Sequence, residues 1–211
     1  MTPSGGRSGR EAAVVRTGTA NLASVLAGLR RAGADPFVAR EPGDLERAGR
    51  IVLPGVGAFG AAMQTLEESG MRESVRRWFA EGRPALAVCL GLQLLGSGSE
   101  ESPGVEGLGV VPPEAGRFEE GVRVPQLGWN RVEPSGECRL LEGGYAYFAN
   151  SYRLETAPVG WKPAWSDHGG PFIAALERGP VLACQFHPEL SGAWGQALLV
   201  RWLDTAVEGV R

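Results

Sequence analysis

Three short apolar runs, at 12–15, 51–53 and 85–89, each lead into glycine and then into residues spaced for a helix. That alternation narrows the fold more than any other feature of the chain. Strands that are each followed by a crossover helix lie parallel, and a parallel sheet needs helices over both faces. Behind the first run, past a turn at Gly18 and Asn21, Leu22, Val25, Leu26 and Leu29 recur at i, i+3, i+4 and i+7. This is the stripe of an amphipathic helix, and Gly33 ends it. From about Gly107 the texture changes. Strand-like pieces at 122–124, 145–148 and 151–154 are separated by Gly and Pro turns, which points to an antiparallel section. A last apolar run at 181–186 returns to the core before a closing helix over 193–207. The expected fold is α/β, a mostly parallel central sheet flanked by helices with an additional antiparallel section. The 211 residues fit a single domain over 12–211 behind a polar, glycine-rich leader at 1–11, expected to be disordered.

Charge and cysteine usage exclude several classes of partner. With 21 Lys+Arg against 24 Asp+Glu and a formal charge of -3, there is no large positive field for a phosphate backbone, and no basic run interleaves with aromatics. No nucleic acid is expected. The 20 arginines and the single Lys162 are scattered and point to no binding surface. No stretch approaches the roughly 18 apolar residues of a membrane helix, and the opening residues lack the apolar core of a secretory signal. Cys89, Cys138 and Cys184 are an odd set without metal-type spacing. Neither a disulfide framework nor a zinc site is expected, but a reduced, cytoplasmic protein without metal or cofactor is.

Two segments can carry chemistry together. The strand ending Ala85-Leu86-Ala87-Val88 puts Cys89 where the chain turns into a helix, with Gly91 two residues on permitting a tight turn. Such an elbow presents sulfur above the sheet at a helix N-terminus and frees the Leu90 amide to donate to an oxyanion. Read alone, Cys89 fits a small buried hydrophobe better than a nucleophile, so the catalytic reading rests on a base elsewhere in the chain. The second segment is Gln185-Phe186-His187-Pro188-Glu189 at the end of a strand, where open α/β sheets present ligands. A carboxylate two residues past a histidine can orient the ring, and a strand-elbow Cys, His187 and Glu189 form a candidate triad. The other histidine, His168, lies in an Asp-His-Gly-Gly turn. A third segment, Leu53-Pro54-Gly55-Val56-Gly57-Ala58-Phe59-Gly60, has neither the Lys of a phosphate loop nor dinucleotide-binding spacing. Its amides could complete an oxyanion hole, or it could be a plain tight turn.

From about Val14 to Val207 the combination resembles the class I glutamine amidotransferases. The general signature is Ala87-Val88-Cys89-Leu90-Gly91-Leu92-Gln93 with Gln185-Phe186-His187-Pro188-Glu189. Within that family, Pro54-Gly55-Val56-Gly57-Ala58-Phe59, Gln126-Leu127-Gly128-Trp129-Asn130, and Tyr147-Phe148 leading to Ser151-Tyr152 resemble the glutaminase subunits of imidazole glycerol phosphate synthase. The resemblance implies that Cys89 attacks the side-chain amide of glutamine, that His187 activates the thiol and protonates departing ammonia, and that Glu189 orients His187. A glutamyl thioester would then be hydrolysed. It implies further that Gly57, Leu90, Gln93, Glu101 and the Ser151-Tyr152 backbone hold glutamine, and that amides near Val56 and Leu90 face the oxyanion. The family delivers ammonia to a barrel-shaped cyclase, which must here be a separate subunit of a heterodimer, because the chain is too short to add a barrel of about 250 residues.

The chain departs from the family pattern at Arg16-Thr17-Gly18-Thr19-Ala20-Asn21, where relatives usually show an acid and a tyrosine before glycine. It also departs at Asn150, often histidine, and at Leu190, usually lysine. Two rival readings remain at this point: the glutaminase of another synthase, such as that of pyridoxal phosphate synthase, and a non-catalytic chaperone-like α/β protein with an elbow cysteine. The peptide between Gly55 and Val56, flanked by Gly57, is further expected to turn when a partner binds, completing the oxyanion hole.

Overall fold

The computed structural model describes residues 10–18, 22–136 and 138–205. Its first half alternates strand and helix: β1 (Glu11–Val15), α1 (Leu22–Arg31), β2 (Asp35–Ala39), α2 (Pro42–Arg47), β3 (Ile51–Gly55), α3 (Phe59–Glu68), α4 (Arg72–Ala80), β4 (Ala85–Cys89) and α5 (Leu90–Leu94). The second half is strand-rich: β5 (Gly116–Arg117), β6 (Gln126–Pro134), β7 (Gly144–Asn150), β8 (Tyr152–Arg153), β9 (Lys162–Asp167), β10 (Pro171–Arg178) and β11 (Val181–Cys184). A 3₁₀ turn (Pro188–Leu190) and α6 (Gly192–Leu203) follow.

A nine-stranded sheet runs in the order β2-β1-β3-β4-β11-β10-β9-β6-β7. From β2 to β11 neighbouring strands are parallel, and from β10 onward they are antiparallel. The antiparallel section is thus the far half of the same sheet, with β5 and β8 pairing as a small separate ribbon. Strands β3, β4 and β11 are buried on both faces, the reason they read as unbroken apolar runs. One face packs Leu53, Ala87 and Ala183 against Phe59, Met63, Leu66, Trp78 and Phe79 of α3 and α4. The other packs Val14, Val52, Val88 and Leu182 against Val25 and Leu29 of α1 and Leu198, Leu199 and Trp202 of α6.

Some expectations are corrected. Residues 122–124 form bends ahead of β6 rather than a strand, and 151–154 contracts to the two-residue β8. The run at 181–186 pairs as a strand only to Cys184, and its last residues lead toward the site. Strand β2 carries Pro36, which argues against a central strand, but β2 lies at the sheet edge, where a missing donor is tolerated. Of the expected leader, residues 1–9 lie outside the described residues, while Glu11 opens β1 opposite Asp35. Asn21 and residues 206–207 also lie outside them.

Candidate active site

The C-terminal ends of three parallel neighbours meet at one sheet edge: Gly55 of β3 lies level with Cys89 of β4, and Cys184 of β11 lies level with Val88. Ligands bind at this edge of an open α/β sheet. Cys89 has φ 54° and ψ -112°, the one positive φ outside glycine among the described residues. Holding an L-residue there costs about 1–3 kcal/mol, which the surrounding packing must offset. Two glycines make the elbow possible by their lack of a side chain. A Cβ on Gly91 would stand 2.0 Å from the Leu53 carbonyl oxygen, and one on Gly55 would stand 2.7 Å from the Leu90 Cβ. Gly91 is an ordinary helical residue of α5, needed for close approach and not for an unusual turn. Gly55 is likewise a packed strand residue. Only Gly57 in this segment takes a left-handed conformation, at φ 100°.

His187 follows β11 and is fixed to β7 by its backbone. Its N–H donates to the Tyr147 carbonyl at 2.9 Å. The Ser191 hydroxyl donates to the His187 carbonyl at 2.6 Å and accepts from the Tyr147 N–H at 2.9 Å. The ring Nδ1 lies 2.9 Å from Glu189 Oε1, both side chains being almost wholly buried. Because Nδ1 is taken, Nε2 is the nitrogen left for the Cys89 thiol, the other side-chain partner of this ring. Burial works to drive the proton off His187, but the hydrogen bonds and charges of Cys89 and Glu189 outweigh it and raise its pKa to about 10. The ring is thereby held protonated, with its partners Cys89 and Glu189 on either side. Glu189 is held in turn by α1. Arg31 donates to its backbone carbonyl at 3.2 Å, and Gly28 lies so close that a Cβ there would meet the Glu189 Cβ at 2.6 Å.

A cleft of about 280 Å³ opens over the sulfur. Every residue expected to hold glutamine or its oxyanion lines it: Val56, Gly57, Leu90, Gln93, Glu101, Ser151 and Tyr152, together with Cys89 and His187. The Leu90 amide, first in α5, belongs to the helix N-terminal donors without a partner inside the helix. Glu101 already uses one oxygen, Oε2, to accept the Phe59 N–H at the start of α3, at 2.6 Å. Gln93 gives its amide nitrogen to the Tyr152 carbonyl at 3.1 Å and to Gln185 Oε1 at 3.0 Å. Asn150, where a histidine is common in relatives, donates to the same Tyr152 carbonyl at 3.0 Å. On the far side of His187, a second cleft of about 200 Å³ is mostly apolar and includes Val25, Pro54, Tyr147, Glu189 and Leu190.

Three contributors escaped the sequence reading. Thr17, in the segment that departs from the family pattern, donates its hydroxyl to the Pro54 carbonyl at 2.9 Å and so anchors the Pro54-Gly55-Val56-Gly57 turn from below. Ser191 clamps His187, and Gln185 reaches the sulfur. Their roles depend on contacts with Pro54, Tyr147 and Cys89, each distant in sequence, although Gln185 itself stands in the family signature. His168 sits in a turn, as expected, with Nε2 2.8 Å from the Arg123 carbonyl and its ring edge-on to Phe118. All three cysteines are free, and burial pushes the Cys184 thiol well above its ordinary range. Among the described residues, no group of three or more His, Cys, Asp or Glu is placed to hold a metal ion, and no helix is long and apolar enough to cross a membrane.

Comparison with known proteins agrees with this geometry. The glutamine amidotransferase class-I family profile matches residues 19–204. An imidazole glycerol phosphate synthase subunit HisH from Thermus thermophilus is 46% identical over 189 residues, covering 90% of this chain and 94% of the relative. The subunit of that name from Escherichia coli K12 is 39% identical, covering 90% and 97%. The chloroplastic imidazole glycerol phosphate synthase hisHF of Arabidopsis thaliana is 40% identical, but the match spans 88% of this chain and only 33% of that protein. A crystal structure of a glutamine amidotransferase shares the fold with a TM-score of 0.72 at 22% identity, over 90% of this chain and 96% of that one. By sequence and by fold, this chain belongs to the class-I glutamine amidotransferase family.

Proposed function

We propose that this chain is the glutaminase subunit of an imidazole glycerol phosphate synthase, and that it releases ammonia from glutamine for a separate cyclase subunit in histidine biosynthesis. The observation that carries the reading is the strained Cys89 elbow facing a buried His187 whose Nδ1 is 2.9 Å from Glu189. With its proton on His187, the sulfur attacks the side-chain amide carbon of a glutamine lying in the cleft. The Leu90 and Val56 amides receive the developing oxyanion, and His187 returns the proton to the leaving nitrogen. Water, deprotonated by the same imidazole, hydrolyses the thioester and releases glutamate. Gly57, Gln93, Glu101, Ser151 and Tyr152 hold the amino-acid part, with the free oxygen of Glu101 suited to the α-ammonium group.

Neutral ammonia leaves through the apolar cleft beyond His187. Leu190 is among the residues lining that cleft, and Leu127, Trp129 and Tyr145, 65%, 58% and 60% exposed on neighbouring strands, offer an apolar face to a barrel-shaped cyclase partner. The cyclase joins the ammonia to its nucleotide, forming imidazole glycerol phosphate and aminoimidazole carboxamide ribotide, in the cytoplasm. The reaction takes no cofactor from this chain. The domain begins by Glu11, the first residue of β1.

Ammonia release from glutamine, measured with and without cyclase and nucleotide, tests the assignment. Activity should rise at least about tenfold in the complete complex, since one missing oxyanion donor typically costs about 10²–10³ in rate. Cys89→Ala should abolish release while the complex still makes product from added ammonia. Residual glutaminase activity near that of the native chain would sink it, as would stimulation by the synthase of pyridoxal phosphate in place of the cyclase.

A further inference from the structure

We propose that Gln185 is a positioning donor to the Cys89 sulfur, aimed by Gln93, so that one hydrogen-bonded chain runs from the wall of the glutamine cleft to the nucleophile. The inference rests on the reading of Cys89 as nucleophile and adds a residue to its machinery. Cys184 lies level with Val88 in the parallel ladder, so Gln185 falls beside Cys89 at the sheet edge. Gln185 is fully buried, where a primary amide must find partners for both its oxygen and its nitrogen. Its Oε1 accepts from Gln93 Nε2 at 3.0 Å, and its Nε2 lies 3.8 Å from Cys89 Sγ.

The orientation of both amides follows from one backbone group. The Tyr152 carbonyl can only accept, so the end of Gln93 lying 3.1 Å from it is the NH₂ end. That same nitrogen faces Gln185, so the near end of Gln185 is its oxygen. The far end, toward sulfur, is then N–H. Neither amide can flip without setting two donors or two acceptors against each other.

The sulfur consequently meets different partners in its two protonation states. The neutral thiol can donate to the Ala149 carbonyl, 3.9 Å away. When the proton moves from sulfur to His187 Nε2, no other bond changing, that carbonyl offers the anion nothing. The Gln185 N–H, aimed at the sulfur, is then the donor that favours the charged form. The titratable and charged groups facing this corner are Cys184 from the end of β11, His187 and Glu189 from the segment after it, Tyr147 and Tyr152 from β7 and β8, and Glu101 from across the cleft. Gln185 is the amide donor beside them.

Two variants of the full chain test the proposal through the pH dependence of Cys89 alkylation by iodoacetamide, with Cys138 and Cys184 replaced by Ala in all samples. Gln185→Glu keeps the oxygen that Gln93 needs and turns an acceptor toward sulfur. Gln185→Met keeps the volume and removes the donor. The pH of half-maximal alkylation should rise in both, by about one unit or more in Gln185→Glu and by less in Gln185→Met. In the complex with cyclase, kcat for glutamine hydrolysis should fall about tenfold, with KM within about twofold. Gln93→Met, which frees the Gln185 amide to turn, should move the alkylation profile in the same direction. If Gln185→Met fails to fold, the isosteric Gln185→Glu decides. Folded variants whose alkylation profiles coincide with the parent's overturn the proposal, whatever their thermal stability, and so does a change confined to KM. A parent chain whose Cys89 alkylation ignores replacement of His187 would overturn the nucleophile assignment as well.

Discussion

At the scale of single residues the decisive quantity is where the His187 proton sits. Its pKa of about 10, against an ordinary 6.5, means that folding strengthens proton binding. The resulting contribution to stability is full below the unfolded value and is lost as the pH rises through about 10. In the proposed reaction the same proton is the one ammonia takes on leaving. Glu189→Gln removes one of the groups that raise the pKa, so His187 should release its proton at lower pH, and the alkaline limb of the kcat profile should move down. Turnover should fall by about 10² or more, the range for losing an oriented acid–base group, while glutamine affinity changes little. A collapse of affinity with an unmoved pH profile would make Glu189 a binding residue. That Cys89, His187 and Glu189 would meet was legible in the sequence because each announces itself locally, as a strand-end Cys before Leu-Gly and as His-Pro-Glu. The contacts of Thr17 and Gln185 were not, because a hydroxyl aimed at Pro54 and an amide aimed at sulfur become visible only when residues 37 and 96 positions apart meet.

At the scale of elements, helix α1 acts on the triad from outside. Its buried Gly28 rides on the backbone of the 3₁₀ turn that carries Glu189, and Arg31 bonds that turn's carbonyl. In an exposed helix, Gly→Ala would add up to about 1 kcal/mol of stability. Here the new Cβ would stand 2.6 Å from the Glu189 Cβ, against side-chain and backbone atoms with no flexible end to move. Overpacking of this kind costs about 1–3 kcal/mol and therefore wins. Gly28→Ala should lower the melting temperature by a few degrees and reduce kcat more than it raises KM; a more stable variant of native turnover would show that the helix and the turn are free to part. Arginines do comparable work at helix ends. Arg50 donates to the Trp202 and Leu203 carbonyls as α6 closes, and Arg178 donates to the Phe79 and Ala80 carbonyls as α4 closes. Their scatter in sequence hid this, since a C-terminal cap from a distant strand has no local pattern. The βα units were readable for the opposite reason: both faces of β3 and β4 are covered, so their apolar runs are unbroken. The bends at 122–124 misled, because two valines about an arginine mimic a strand when no partner can be seen.

For the whole molecule, the parallel half of the sheet builds the Cys89 elbow and the antiparallel half presents a face beside it. Strands β6 and β7 pair Leu127 with Ala149, Trp129 with Tyr147 and Arg131 with Tyr145. Phe148, Ala146 and Val132, on the other side, are buried in the core, so the outer face adds an exposed apolar patch, bordered by the Arg131–Glu133 ion pair, to an apolar inner one. A sheet end left that way invites pairing with another surface. The carbonyl of Ala149 touches the Cys89 sulfur, and Tyr147 is bridged to His187, so the strand that carries the outer face also borders the chemistry. A partner seated there would reach the triad through one strand. The consequence is measurable by calorimetry with the cyclase. Trp129 is exposed, so Trp129→Glu should leave the melting temperature nearly unchanged, yet burying a charge in place of an aromatic anchor should weaken the complex about 30-fold or more. Val159→Glu, at a still more exposed position between β8 and β9, should bind like the parent chain. Glutamine hydrolysis at saturating cyclase should recover in Trp129→Glu, because the triad itself is untouched. Native affinity in that variant would place the cyclase on a different face, and the route for ammonia through the apolar cleft at Leu190 would have to be abandoned with it.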